Sequence, residues 1–125
     1  MTIVSVIDFK FHLHRVLLQA RHYGEIVERN AEFPGGERAC MEWLSRNMKY
    51  PEIALEQGIR GRVIVQFVVN RDGSIGDKYI IKSPHPSLSD EVLRLFTLMP
   101  KWRPATMGNH AVRSRLNLPV NFTLR

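Results

Sequence analysis

The chain has 125 residues, 44% of them hydrophobic and 24% charged, which is the composition of one globular domain and excludes a wholly disordered protein. At this length folding hides about 60–65% of the chain's surface, so the core has the scale of a single sheet with a few helices. The net charge of +6 lies entirely in residues 33–125, because residues 1–32 hold four basic and four acidic groups; this suits an anionic partner, but the arginines stand singly, without the Lys/Arg runs and interleaved aromatics of a nucleic-acid surface, so no nucleic acid is expected.

Residues 2–7 are apolar but are interrupted by Asp8, too soon for the core of a secretion signal, and no apolar run approaches the ~20 residues of a membrane span. Leu13, Val16, Leu17, Ala20 and Tyr23 recur at helical spacing opposite His14, Arg15, Arg21 and His22, which predicts a short amphipathic helix ended by Gly24. Phe33-Pro34-Gly35-Gly36 is a turn by composition. Residues 37–48 put Cys40, Trp43, Leu44 and Met48 on one helical face, and residues 51–57 read as a second helix with Pro51 at its first position and Gly58 at its close. The single Cys40 excludes an internal disulfide and, on its helical stripe, reads as a small buried hydrophobe.

Residues 62–70 alternate Val63, Val65, Phe67 and Val69 on one face of a strand, Asn70 to Ser74 has hairpin-turn chemistry, and residues 75–82 form the returning antiparallel strand. Ser83-Pro84-His85-Pro86 breaks the chain. Ser87 with Asp90 resembles a capping arrangement, and Leu88, Val92, Leu95, Phe96 and Met99 mark the apolar stripe of a third helix, stopped by Pro100. Lys101 to Pro104 is an extended link and Met107 to Asn109 a turn. The expected class is α+β, an antiparallel three-stranded sheet with helices packed on one face.

Residues 112–125 alternate almost without exception. Val112, Ser114, Leu116, Leu118, Val120, Phe122 and Leu124 share one face, and Arg113, Arg115, Asn117, Pro119, Asn121, Thr123 and Arg125 the other. Proline gives no N–H to a ladder, so Pro119 places this strand at an edge. Residues of one parity point N–H and C=O to the same side, so odd residues face the open side, and an incoming strand would bond to Arg113, Arg115, Asn117, Asn121 and Thr123 with a gap at Pro119. Charge and proline also blunt natural edges, so the strand reads either as a protected edge or as a docking edge for a partner peptide.

The chemistry of catalysis is missing from the pattern. His12 and His14 have no Cys, Asp or Glu at ligand spacing, and His85 and His110 sit in loops. Asn70 to Ser74 lacks the ligand series of a calcium loop, no glycine-rich phosphate loop occurs, and no serine, cysteine or carboxylate stands in a nucleophile context. Neither an enzyme nor a cofactor or metal site is expected.

Phe33-Pro34-Gly35-Gly36, Tyr50-Pro51, Gly58-Ile59-Arg60-Gly61-Arg62-Val63, Phe67 to Ile75 (FVVNRDGSI), Met99-Pro100-Lys101-Trp102-Arg103-Pro104 and Leu118-Pro119-Val120-Asn121-Phe122 follow one another in order. Together they resemble the C-terminal domain of the TonB energy-transducer family in its Bacteroidetes form, over residues 33–125. The resemblance implies a TonB C-terminal-like fold in the periplasm, with residues 1–32 as an N-terminal extension. It also implies that the domain grips the TonB box of outer-membrane receptors, which adds a strand beside the last strand of the domain, while a proton-driven inner-membrane motor complex supplies force for active uptake. Carried onto this sequence, the partner-binding residues are Arg113, Ser114, Arg115, Leu116, Asn117, Leu118, Asn121 and Thr123. Main-chain bonds give the grip, and Arg113, Arg115, Asn117 and Asn121 tune side-chain fit.

Family members usually begin with a membrane-spanning helix and a proline-rich linker, and residues 1–32 read as neither. The sequence is thus expected to be the end of a longer product, a fragment with a false start, or a detached receptor-binding domain. Two other readings stand beside transduction. One is a sensory or regulatory domain of a membrane signalling peptidase. The other is a self-associating structural domain, a homodimer, since a long terminal strand at ~3.3 Å per residue can overhang to pair with a second copy.

Overall fold

The computed structural model describes residues 3–6, 21–22, 25–26 and 28–124. Its centre is the strand β4, Gly61–Val69, in which Val63, Val65, Phe67 and Val69 are buried and the intervening residues are half-buried. Strand β5, Ile75–Lys82, returns antiparallel on one side with register shifts after Ile64 and Phe67. On the other side β8, Ser114–Leu124, pairs antiparallel with β4 in an unbroken register from Gly61↔Phe122 to Val69↔Ser114. These three strands are the antiparallel sheet that the sequence predicts.

The helices α1 (Glu37–Asn47), α2 (Glu52–Glu56) and α3 (Pro86–Leu98) bury Cys40 and Leu44, Ala54, and Leu88, Val92, Leu95 and Phe96, in the same core as the even-numbered residues of β8. Burial of a Val, Leu or Phe side chain is worth roughly 1.5–3 kcal/mol. That makes this face the source of the fold's stability. Phe67 joins the layers, with ring centroids 4.8 Å from Phe96 and 5.2 Å from Trp102; Phe33 meets Trp102 edge-on at 5.8 Å.

The hairpin between β4 and β5 turns on Asn70 to Ser74. The Asn70 N–H donates to the Ser74 carbonyl at 2.8 Å, and the Gly73 N–H to the Asn70 carbonyl at 2.9 Å. Asp72 Oδ1 accepts from the Ser74 N–H at 2.9 Å and from its hydroxyl at 2.6 Å, an Asx-type closure. Gly73 sits at φ 88° against the backbone of Trp102, whose N–H donates to the Gly73 carbonyl at 2.8 Å. A side chain there would meet the Trp102 carbonyl oxygen at 2.1 Å.

Several boundaries differ from the sequence reading. Pro51 caps α2 instead of opening it, so the helix begins at Glu52. The third helix is capped by His85, not Ser87: Pro86 takes the first turn, where its missing N–H costs nothing, and His85 Nδ1 accepts from the Ser87 N–H at 3.1 Å. The terminal strand is also not continuous. Strands β6, Ala105–Met107, and β7, His110–Val112, form a separate ribbon about a turn at Gly108, and the chain changes ladder at Arg113. Val112 and Ser114 are both buried, so the side-chain alternation runs straight through a break in pairing.

The N-terminal region contributes backbone to the sheet. Strands β1 (Ile3–Val6) and β2 (Arg21–His22) pair with β8, and β3 (Glu25–Ile26) pairs with β2. Of the helix expected over 13–23, Arg21 and His22 are strand instead, and the remainder lies outside the described residues. Glu28, Arg29 and Glu32 are stitched to Arg103 and Thr106 by backbone hydrogen bonds, and Ala31 is fully buried, so the expected boundary at 32/33 falls within a packed segment.

Candidate functional site

Strand β8 divides the expected partner residues into two sets. Ser114, Leu116 and Leu118 point into the core, at 2%, 2% and 1% exposure, and so offer a partner only their main chain. Arg113 and Arg115 are exposed, and Asn117, Asn121 and Thr123 are half-buried on the opposite face. Arg113 Nε donates to Asn70 Oδ1 at 3.1 Å, which ties the ladder change to the hairpin turn. Asn121 Oδ1 accepts from Arg62 Nε at 3.1 Å across the register pair Arg62↔Asn121. Asn117 Oδ1 is buried and has no hydrogen-bond partner among the described residues. No acidic residue stands in β8, and its one charged side chain, Arg115, is cationic and exposed.

The main chain of β8 is committed to β4 on one side. Its other side is not open along its whole length, as the sequence reading has it. Strand β1 pairs antiparallel with residues 121–124 (Ile3↔Leu124, Val4↔Thr123, Ser5↔Phe122, Val6↔Asn121), and β2 pairs at Arg21↔Arg115. No described strand pairs with this side between residues 116 and 120, the stretch that holds Pro119. A shallow open depression of about 370 Å³, lined by Gly61, Arg62, Lys82, Asn121, Phe122 and Thr123, lies at the β1 end.

One aromatic contact holds the end of β8, and two further groups brace the core and the helices behind the sheet. Tyr50 stacks edge-on against Phe122 at 5.6 Å and donates its hydroxyl to the Ile59 carbonyl, and burial pushes its phenol up from 10.0, opposed by Arg60. This gives the Tyr50-Pro51 motif a packing role at the end of β8. Trp102 is 3% exposed within the aromatic cluster. Glu91, also buried, accepts from Arg94 at 2.6 and 2.8 Å and from the Lys49 N–H at 2.5 Å, while Arg94 donates to the Asn47 carbonyl at 2.9 Å. That network fixes the middle of α3 to the end of α1.

Burial, with the Glu37 charge second, pushes the Cys40 thiol up to about 12, which leaves negligible thiolate near neutral pH. Among the described residues no three His, Cys, Asp or Glu side chains cluster as metal ligands, and no helix is long and apolar enough to cross a membrane.

Sequence reasoning missed the strand role of residues 3–6 and 21–22. The run Thr2-Ile3-Val4-Ser5-Val6-Ile7 is rich in β-branched residues and carries the signal for the first of these. The pair Arg21–His22 carries no such signal.

Comparison with known proteins agrees with the geometry. The family model for the Gram-negative bacterial TonB protein C-terminal matches residues 46–124. Protein TonB from each of two Helicobacter pylori strains is 42% identical over 40 residues, a stretch that covers 32% of this chain and 14% of those proteins. The solution NMR structure of the Pseudomonas aeruginosa TonB CTD aligns with a TM-score of 0.52 at 28% identity, covering 62% of this chain and 79% of that one.

Proposed function

The chain belongs to the Gram-negative bacterial TonB protein C-terminal family, and from that premise we propose that it is a periplasmic receptor-binding domain of a TonB-type energy transducer, which grips the TonB box of outer-membrane transporters by strand addition along β8. The observation that carries this reading is that the outer side of β8 already accepts added strands: two segments of the chain pair with it antiparallel. A receptor peptide would use the same main-chain groups. Residues Arg113, Arg115, Asn117, Asn121 and Thr123 line that edge on the outer face, and Asn117 Oδ1, without a hydrogen-bond partner among the described residues, is an acceptor that an incoming strand can satisfy. Ser114, Leu116 and Leu118 contribute backbone alone, since their side chains are in the core. The function is mechanical and needs no catalysis, and coupling to the inner-membrane motor requires the rest of a full-length transducer.

The test is an amide-resolved NMR titration with TonB-box peptides from receptors of the source organism. Shifts concentrated on residues 113–123 are the expected outcome. Amides that stay still at millimolar peptide sink the reading.

A further inference from the structure

We propose that the chain's own N-terminal segment is an intramolecular occupant of the β8 edge, one that a receptor strand must displace. The inference rests on the receptor-binding reading and adds its regulation.

A sheet edge presents one row of N–H and C=O groups, and a row already paired cannot bond to a second strand. Residues 121–124 of β8 are paired in register with Ile3–Val6, and Arg115 is paired with Arg21. Both ends of the edge are therefore engaged, and residues 116–120 between them have no described strand beside them. That middle stretch is a poor site by itself, because Pro119 withholds an N–H. A strand of about five residues could only just fit that stretch and would meet Pro119 within it, and any longer peptide docked on β8 overlaps β1, β2 or both. Occupant and ligand compete for the same atoms.

The quantitative consequence is a loss of apparent affinity equal to the fraction of time the edge is free. An edge occupied about nine-tenths of the time weakens binding about tenfold.

Val4→Pro and Ser5→Pro in the whole chain provide the test. Adjacent residues of a strand point their N–H groups to opposite sides, so one of the two prolines removes a donor aimed at β8 and the other a donor aimed away from it. Hydrogen exchange at residues 121–124 reads occupancy without any ligand, and titration with a TonB-box peptide reads competition. The expected result is that one variant speeds exchange at residues 121–124 and binds the peptide several-fold to about tenfold tighter than the parent chain, while exchange in β4 is unchanged in both. If exchange at residues 121–124 is the same in all three chains, the edge is not held by β1 and the inference is overturned. If the peptide binds all three with equal affinity, competition is overturned while the receptor-binding reading stands. Absence of binding to any of them overturns both.

Discussion

Gly73 occupies a position that admits no side chain. Its φ of 88° is one that L-residues rarely adopt, and the Trp102 carbonyl oxygen would lie 2.1 Å from a β-carbon. Gly73→Ala is therefore expected to lower stability by about 3 kcal/mol, as an enforced backbone strain combined with a clash, and urea denaturation measures it. The neighbouring Asp72 gives the fold an acid limb. Hydrogen bonds from the Ser74 hydroxyl and N–H, aided by Lys101, hold its carboxyl below the ordinary 3.8. A folded-state pKa below the unfolded one adds stability that is full above the unfolded value and is lost as pH falls through the folded value. The stability gap between the parent chain and Asp72→Asn should thus be widest above the ordinary carboxylate range and close as the solution is acidified past it; a gap that stays constant or widens with acid contradicts the assignment.

At the scale of elements, the Glu91–Arg94 pair within α3 reaches the end of α1 through the Asn47 carbonyl and the Lys49 N–H. Glu91 is 7% exposed and depends on Arg94 for two of its three hydrogen bonds. Removing one member of a buried pair leaves an uncompensated charge. Because the Arg94 side chain is 37% exposed, Arg94→Met is expected to cost about 2–3 kcal/mol, less than a fully buried pair. The double variant with Glu91→Gln should recover part of it, and a double-mutant cycle in urea separates the two terms. The elements that the sequence disclosed are those whose side chains alternate against the core. Val63 to Val69 and Ser114 to Leu124 have a period of two, Leu88 to Phe96 a helical one, and burial follows both except at Pro119, which is buried on the odd face of β8. What periodicity does not encode is the identity of a ladder partner. Hence neither the change of ladder at Arg113 nor the pairing of Ile3–Val6 with a strand more than a hundred residues away is legible in the pattern. In the candidate site, the face of each β8 residue was legible from parity, whereas the hydrogen bonds from Arg113 to Asn70 and from Arg62 to Asn121 depend on turn geometry and register that appear only in three dimensions.

For the whole molecule, the ladder between β4 and β8 decides how the domain bears load. Antiparallel inter-strand hydrogen bonds lie perpendicular to the strands, and here they run in register from Gly61↔Phe122 to Val69↔Ser114. Tension applied along the strand axis shears every bond of that ladder together, whereas tension across it opens the bonds one after another from an end. A single chain handled by Gly61 and Ser114, which lie at opposite ends of the ladder, should resist to a several-fold higher rupture force than the same chain handled by Gly61 and Phe122, which lie at one end. Optical-tweezer measurements on the two attachments would reveal it, and equal forces would mean that the sheet yields elsewhere first. A receptor strand laid alongside β8 would inherit the same anisotropy, holding fast to a pull along its length and peeling away from a sideways tug.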